Sequence, residues 1–358
     1  MTPSRPFDLV IFDCDGVLVD SERLINRIES RLFSQVGLDV SPDEARTAFK
    51  GRTVAEIVAI AESTRGATLP AGWLYDWGML IALGFVRDLR AVSGVRSVLD
   101  RLAAREIPTC VASQAPKVRV ELALAVTDLE RYFGARAFTA SMVPRAKPLP
   151  DLFLYAAAAM GAEPSRCAVV EDSESGVRAA VAAGMTVFGY AADEDAEALA
   201  RAGAAVFGTM AELPALLESG ADAGARGNPP EAVVRLRDAY QAFAAGDRRS
   251  LGDLLSDDVV YHLPGRHLGG GTLRGRSEVF ERTARAALSC DGPPAVRLRN
   301  VVGSGEHVLS IERFAARRRG RSVDQEVCVV WRMAGERCVE IWSAFSDQAS
   351  CDRFWQDG

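Results

Sequence analysis

Two aspartates, Asp13 and Asp15, stand one residue apart directly after the apolar run Leu9–Phe12. Two carboxylates with this spacing cannot both face the core of a strand, but at its carboxyl end both can reach the crevice where open α/β sheets bind ligands. The glycine that follows them loosens the turn. A carboxylate pair delivered in this way indicates metal-assisted chemistry on a phosphate group.

Polar groups elsewhere in the chain are placed to join this pair. Ser113 follows a second short apolar run, and Glu171 and Asp172 follow a third. Lys147 lies on a proline-rich loop just before a predicted helix. Because the carboxyl ends of neighbouring parallel strands meet at one edge of a sheet, we expect these four side chains to converge on the aspartate pair.

The elements that must position these groups alternate along the first 215 residues. Short apolar runs separated by helical patterns indicate βαβ units, and therefore a doubly wound parallel sheet of the α/β class. The predicted strands are residues 9–12, 109–112, 167–170, 186–188 and 205–207. About 70 residues after the first strand contain helical patterns and no strand pattern, so we interpret them as an inserted helical cap above the strand end.

The pattern changes class after residue 218. Residues 219–230 are rich in Gly, Ala and Pro, a composition typical of a linker. Three predicted helices (231–245, about 249–255 and 277–288) then precede four alternating runs, which indicates a separate α+β domain. The predicted domains are 1–20 with 92–218 for the core, 21–91 for the cap, 219–230 for the linker and 231–358 for the α+β domain.

Composition narrows the class of partner. The chain has 358 residues, of which 48% are hydrophobic, and its formal net charge is −6. This mild acidity argues against nucleic acid as a partner, and no apolar run approaches the length of a membrane span. Seven cysteines without a paired pattern predict reduced thiols in a cytoplasmic protein.

These motifs resemble those of the haloacid dehalogenase superfamily. Residues 12–22 resemble its signature, and Ser113, residues 147–151 and residues 170–177 match its other three motifs in the same order. The resemblance covers residues 7 to about 217, and the helical insertion resembles the first type of cap in that family. Within the family, the cap is similar to those of bacterial sugar-phosphate phosphatases of the phosphogluconate type.

The resemblance implies a Mg²⁺-dependent phosphatase that hydrolyses a small phosphomonoester, such as a sugar phosphate, through an aspartyl-phosphate. Asp13 is the expected nucleophile, and Asp15 is the expected general acid and base. Asp13, Asp172 and the backbone carbonyl of Asp15 are the expected Mg²⁺ ligands, with Glu171 supporting them. The residues expected to hold the phosphate are Gly16, Ser113 and Lys147.

The cap is expected to choose the substrate. The candidates that reach down from it are Glu22, Lys50 and Arg52. Phosphosugar mutases of the family carry a histidine early in the cap, where this chain has Ile25 and where the cap contains no histidine. That difference favours hydrolysis, and a mutase remains the alternative within the enzyme class.

Residues 229–358 resemble SnoaL-like and ketosteroid-isomerase-like cone-shaped domains. The resemblance rests mainly on residues 240–247 and 254–265. It implies an apolar pocket whose candidate residues are Tyr240, His262, Trp331 and Trp342, or else a packed core with a sheet face for homodimerisation. Leu263 stands at the position before the proline of this motif, which argues against steroid isomerisation. A ligand-binding or assembly protein with secondary phosphatase activity is therefore the alternative function.

Overall fold

The computed structural model describes residues 6–49, 54–65, 69–70, 72–192, 196–220, 230–247, 249–265 and 270–356. In this part of the chain the first sheet has six parallel strands in the order β3-β2-β1-β4-β5-β6. They are β1 (Leu9–Phe12), β2 (Thr109–Ser113), β3 (Ala137–Thr139), β4 (Cys167–Glu171), β5 (Thr186–Tyr190) and β6 (Ala205–Phe207). The predicted doubly wound fold class is confirmed, with β3 as an edge strand that the sequence did not reveal.

The central strand shows why the sheet is covered on both faces. Val10 and Phe12 pack into one hydrophobic cluster, whereas Leu9 and Ile11 pack into another on the opposite face. The helices of the core are α5 (Val95–Ala104), α6 (Lys117–Val126), α7 (Glu130–Phe133), α8 (Asp151–Met160), α9 (Glu174–Ala182), α10 (Ala196–Ala202) and α11 (Leu213–Ser219).

Among the described residues, four helices separate β1 from the rest of the core. They are α1 (Glu22–Gln35), α2 (Pro42–Phe49), α3 (Val54–Arg65) and α4 (Trp73–Asp88). The two segments that connect this insertion to the core lie next to each other. Asp20 N–H donates to the Arg90 carbonyl at 2.9 Å, and Val92 N–H donates to the Leu18 carbonyl at 3.0 Å. The insertion is thus attached next to the strand that carries the aspartate pair.

The C-terminal region forms a second, mixed sheet in the order β8-β7-β12-β11-β10-β9. Strand β7 runs parallel to β12, and the other pairs are antiparallel. Its elements are α12 (Glu231–Ala244), β7 (Leu255–Leu263), β8 (Gly271–Arg274), α13 (Arg276–Leu288), β9 (Ala295–Ser304), β10 (His307–Arg318), β11 (Arg321–Ala334), β12 (Arg337–Phe345) and α14 (Gln348–Trp355). The predicted α+β class of this region is confirmed.

The helix predicted at about 249–255 is wrong. Residues Gly252–Leu254 form one 3₁₀ turn, and strand β7 begins at the next residue. Gly252 packs so tightly that a Cβ there would lie 1.9 Å from the ring of Phe280. The apolar residues whose spacing suggested a helix lie instead in a turn and at the start of a strand.

The second sheet packs against the core through helix α8. One face of the sheet carries Leu309, Ile311 and Val330, which lie in the same hydrophobic cluster as α8. Hydrogen bonds between described residues also cross this interface: Tyr155 donates to Glu326 at 2.6 Å, and the Asn300 amide donates to the Ala158 carbonyl at 2.7 Å. This face is therefore covered within one chain, and a homodimer, which remains a prediction, would use another surface.

None of the helices in the described residues is long and apolar enough to cross a membrane.

Candidate active site

A cleft of about 410 Å³, part of it open to solvent, lies at the carboxyl ends of β1, β2 and β4. Parallel strands bring these ends to one edge of the sheet, as predicted. The first residue of cap helix α1 closes one side of the cleft. Its lining includes Asp13, Asp15, Glu22, Ser113, Arg119, Lys147, Glu171 and Asp172.

Lys147 joins the two buried carboxylates at the base of the cleft. Its ammonium donates to Asp13 Oδ1 at 2.6 Å, to Glu171 Oε1 at 2.7 Å and to the Ala112 carbonyl at 3.0 Å. Burial by itself would lower the pKa of Lys147, but the two carboxylates outweigh it and hold that pKa above its ordinary value. The side chain stays charged and holds Asp13 in a fixed orientation.

Asp13 is a buried carboxylate directly after β1. Burial raises its pKa to about 7, while the adjacent Lys147 charge opposes that rise and Glu171 adds to it. Its backbone N–H donates to the Val170 carbonyl at 2.9 Å, which ties it to β4. The arrangement places one carboxylate, anchored on both sides, at the floor of the cleft.

Glu171 has its oxygens occupied by protein donors. Besides Lys147, it accepts hydrogen bonds from the Asp172 N–H at 2.9 Å, the Ser173 N–H at 2.8 Å and the Ser173 hydroxyl at 2.9 Å. Burial alone would raise the pKa of Glu171, but the Lys147 charge and the Ser173 donors hold it below its ordinary value. Glu171 therefore orients Lys147, Asp172 and Ser173, while its role in supporting a metal ion stays a prediction.

Gly16 lets the aspartate turn approach Asp172. It has a φ of 79°, and a Cβ there would lie 2.1 Å from Asp172 Oδ2. Only glycine fits both the left-handed backbone and this contact. The two strand ends can therefore bring the carboxylates of Asp13 and Asp172 into the same cleft.

Asp15 is held by two groups that the sequence analysis missed. Its Oδ1 accepts from the Ser21 hydroxyl at 2.5 Å, and its Oδ2 accepts from the Arg119 guanidinium at 3.0 Å. Arg119 lies in the first turn of α6, six residues after Ser113. A basic residue in the first turn of the helix that follows β2 was the signal that could have identified it.

The remaining predicted residues of the core and cap fall into two groups. Ser113 is buried at the end of β2, where its Oγ accepts from the Ala115 N–H at 3.1 Å. Glu22 lines the cleft from the start of α1. Lys50 and Arg52 lie outside the described residues.

The donor set of the cleft fits Mg²⁺ with few protein ligands. Within the described residues no group of three or more His, Cys, Asp or Glu side chains is spaced to hold a metal ion. Magnesium characteristically takes one or two carboxylates and completes its shell with water and substrate phosphate oxygens. Asp13 and Asp172, which share the cleft, match that requirement without a further side chain.

The four residues predicted for a C-terminal pocket divide between the two faces of the second sheet. Tyr240 and Trp331 pack edge to face in the interior, with ring centres 6.3 Å apart. Beside them the buried Glu312, which the sequence analysis missed, accepts from the Tyr240 hydroxyl and from Ser310 Oγ. The sequence pattern could have indicated that Glu312 is buried, because it lies on the same face of β10 as the apolar Val308.

His262 and Trp342 lie together on the face that meets the core. Their rings stack with centres 5.4 Å apart, and His262 Nε2 lies 2.9 Å from Glu340 Oε1. The guanidinium of Arg145, a core residue, lies 3.8 Å from the centre of the Trp342 ring. The structure therefore brings the predicted residues into two pairs rather than one pocket.

Comparison with protein families separates the chain into two parts. The model of haloacid dehalogenase-like hydrolases matches residues 7–184, and that of the SnoaL-like domain matches residues 236–341. The 6-phosphogluconate phosphatase of Escherichia coli K12 is 31% identical over 210 residues, which cover 58% of this chain and 94% of that protein.

Two solved structures match the N-terminal part. A haloacid dehalogenase-like protein of unknown function from Agrobacterium tumefaciens is 38% identical with a TM-score of 0.52, and the match covers 60% of this chain and 99% of that one. A hydrolase from Deinococcus radiodurans, crystallised with phosphate and sodium, is 32% identical with a TM-score of 0.52, over 62% of this chain and 99% of that one. Nearly the whole length of both structures is thus represented here.

Proposed function

This chain belongs to the haloacid dehalogenase-like hydrolases, and from that membership we propose a Mg²⁺-dependent phosphatase whose substrate is a small phosphomonoester of the sugar-phosphate class. The observation that carries the proposal is the 2.6 Å contact between Lys147 and Asp13 at the base of a cleft that also holds Asp15 and Asp172. A charged lysine that fixes one carboxylate beside two others suits attack on a phosphate whose own charge must be neutralised.

The proposed reaction has two steps on this chain's own residues. Asp13 attacks phosphorus to form an aspartyl-phosphate, while Asp15 gives a proton to the departing alkoxide oxygen. Asp15 then takes a proton from water, which attacks phosphorus and releases inorganic phosphate and free Asp13. Ser21 and Arg119 contact both oxygens of the Asp15 side chain, and so orient it for the transfer of the proton in each step.

A bound Mg²⁺ would be held by Asp13, Asp172 and the backbone carbonyl of Asp15, and would neutralise charge on the phosphate. Ser113 and Lys147, which line the cleft, would contact the phosphate oxygens. The N–H of Gly16, the third residue expected to hold the phosphate, donates to the Val19 carbonyl at 2.9 Å. Glu22 at the start of α1 is the described cap residue that would contact the rest of the substrate. The similarity to 6-phosphogluconate phosphatase supports a phosphorylated sugar or sugar acid.

The direct test replaces the nucleophile. Asp13→Asn is expected to abolish hydrolysis of p-nitrophenyl phosphate and of 6-phosphogluconate in the presence of Mg²⁺. Asp76→Asn, on the exposed surface of α4, is the matched control and should keep wild-type turnover. Undiminished hydrolysis by Asp13→Asn would overturn the proposal, whereas formation of an isomeric sugar phosphate instead of inorganic phosphate would establish the mutase alternative.

We also propose that the protein is cytoplasmic. All seven cysteines are free thiols, which suits the reducing cytoplasm. The alternative function is a ligand-binding or assembly protein that acts through the C-terminal domain and has secondary phosphatase activity. A monomeric mass of the full chain in light scattering, together with no small-molecule binding by that domain, would remove it.

A further inference from the structure

An ion pair closes the loop that carries Lys147. Arg145 Nε donates to Asp151 Oδ2 at 2.9 Å, and Arg145 Nη2 donates to Asp151 Oδ1 at 2.7 Å. Arg145 lies two residues before the lysine, and Asp151, the first residue of α8, lies four residues after it. This two-pronged contact has planar geometry that only arginine provides, so it fixes both ends of the short loop.

The ion pair is removed from water. The side chain of Asp151 is fully buried and that of Arg145 is 14% exposed. A buried pair holds its geometry tightly, because breaking it would leave an uncompensated charge in the interior. The position of the Lys147 loop therefore depends on whatever covers the pair.

Residues of the C-terminal domain provide that cover. The indole of Trp342, on β12, lies 3.8 Å from the guanidinium carbon of Arg145, and His262 of β7 stacks on the same indole. Two strands of the second domain, β12 and β7, thus contribute to the surface beside Arg145.

We propose that Trp342 is a positioning residue for the phosphatase site, because its ring holds Arg145 against Asp151 and so fixes the loop that brings Lys147 to Asp13. The C-terminal domain then supports catalysis in the other domain without contacting the substrate. Small displacements of a group that orients a nucleophile reduce turnover strongly, since the reacting atoms must be closely aligned. This inference rests on the proposed phosphatase function.

The test removes the ring in the full chain. Trp342→Ala is expected to lower kcat/KM for p-nitrophenyl phosphate about 10-fold, and to weaken binding of inorganic phosphate, measured by calorimetry with Mg²⁺, by a similar factor. Trp342→Phe keeps an aromatic face for the guanidinium and should recover activity to within about 3-fold of wild type. Failure of phenylalanine to recover more activity than alanine would overturn the inference.

A matched control separates positioning from general loosening of the two domains. Asn300→Ala removes the interdomain hydrogen bond to Ala158, at the far end of α8 from Lys147. It should lower the melting temperature as Trp342→Ala does, while leaving kcat/KM and phosphate binding unchanged. An equal loss of activity in both variants would show a purely structural role and overturn the inference.

A double-mutant cycle tests the path through Arg145. Arg145→Lys cannot make the two-pronged contact, so it should reduce kcat/KM as Trp342→Ala does, and the two changes together should cost little more than either. Additive losses would contradict a shared path.

The two proposals fail in different ways. A wild-type chain that binds phosphate but hydrolyses no phosphomonoester would overturn the proposed function alone, and phosphate binding by the same variants would then decide the inference. A wild-type chain that neither hydrolyses a phosphomonoester nor binds phosphate would overturn both.

Discussion

The ammonium of Lys147 lies 2.6 Å from Oδ1 of Asp13, and it spans 134 residues of sequence to do so. The same ammonium contacts Glu171, so one buried cation serves two buried carboxylates. Without the cation, these carboxylates would face each other in a medium that stabilises neither charge. Lys147 therefore stabilises the ionised forms of Asp13 and Glu171, and it is also one of the residues that line the cleft.

Replacing this lysine tests that dependence. Lys147→Met is expected to reduce kcat for p-nitrophenyl phosphate by about 10²- to 10³-fold, because the nucleophile loses its orienting charge. Lys117→Met, a half-exposed lysine at the start of α6 whose ion pair with Glu121 is 3.8 Å long, should keep wild-type kcat. Equal activity in the two variants would remove Lys147 from the mechanism.

Gly16 offers a test of the close approach to Asp172. Gly16→Ala should reduce turnover by about 100-fold or more, since its Cβ would displace the Asp172 carboxylate and the misplaced group would no longer serve the site. Gly37 has nearly the same backbone, with φ of 78°, but nothing lies within 4 Å of a Cβ there. Gly37→Ala should cost about 1 kcal/mol of folding free energy and leave turnover intact. Equal kinetic effects would mean that backbone strain alone matters.

The two donors to Asp15 predict a kinetic effect with little change in folding. Ser21→Ala and Arg119→Met each remove one hydrogen bond from the proposed proton-transfer group, so each should lower kcat about 10-fold. The pair should be less than additive because both act on one carboxylate. Steady-state kinetics with thermal melting provide the measurement, and unchanged kcat in both single variants would contradict the role of Asp15.

The strand-end residues were predictable because chain position alone determines them. Asp13, Ser113 and Glu171 each follow a buried apolar run, and a parallel sheet brings such positions to one edge. Arg119 was not predictable in this way, since its contact with Asp15 crosses 104 residues and depends on the rotation of α6. The order of strands in the sequence predicts which residues lie at the carboxyl edge of the sheet. It does not predict which side of a helix faces the cleft.

In the second domain, still less of the structure could be predicted from the sequence. Its four long antiparallel strands alternate clearly, whereas β7 contains two adjacent aspartates and β8 has only four residues, so neither stood out. The contact between Trp342 and Arg145 depends on how two separate domains dock. Alternation identifies which face of a strand is apolar, but it does not show what covers that face.

The role of the metal can be tested by removing it, and this test does not require the natural substrate to be known. Chain treated with EDTA should lose hydrolysis of p-nitrophenyl phosphate and regain it with Mg²⁺. Calorimetric melting should show a stabilisation of about 2.7 kcal/mol when Mg²⁺ is about 100 times its Kd. Asp172→Asn should abolish this stabilisation and Asp76→Asn should keep it. Persistent stabilisation in Asp172→Asn would place the metal elsewhere.

Glu312 predicts a pH dependence of stability that arises in the second domain. Burial raises its pKa from 4.5 to about 7, although the hydrogen bonds from Tyr240 and Ser310 oppose that rise. The folded state therefore binds this proton more tightly than the unfolded state does. The contribution of Glu312 to stability is fully present below pH 4.5 and is lost as pH rises through about 7.

Glutamine at this position imitates the protonated acid at every pH. The unfolding free energy of Glu312→Gln minus that of wild type should therefore increase between about pH 4.5 and 7, by up to roughly 3 kcal/mol. Urea unfolding across this range measures the difference, which cancels the titration of all other groups. Glu281→Gln, on the exposed side of α13, should show no such slope. A flat difference for Glu312→Gln would mean that this carboxyl is ionised in the folded domain despite its burial.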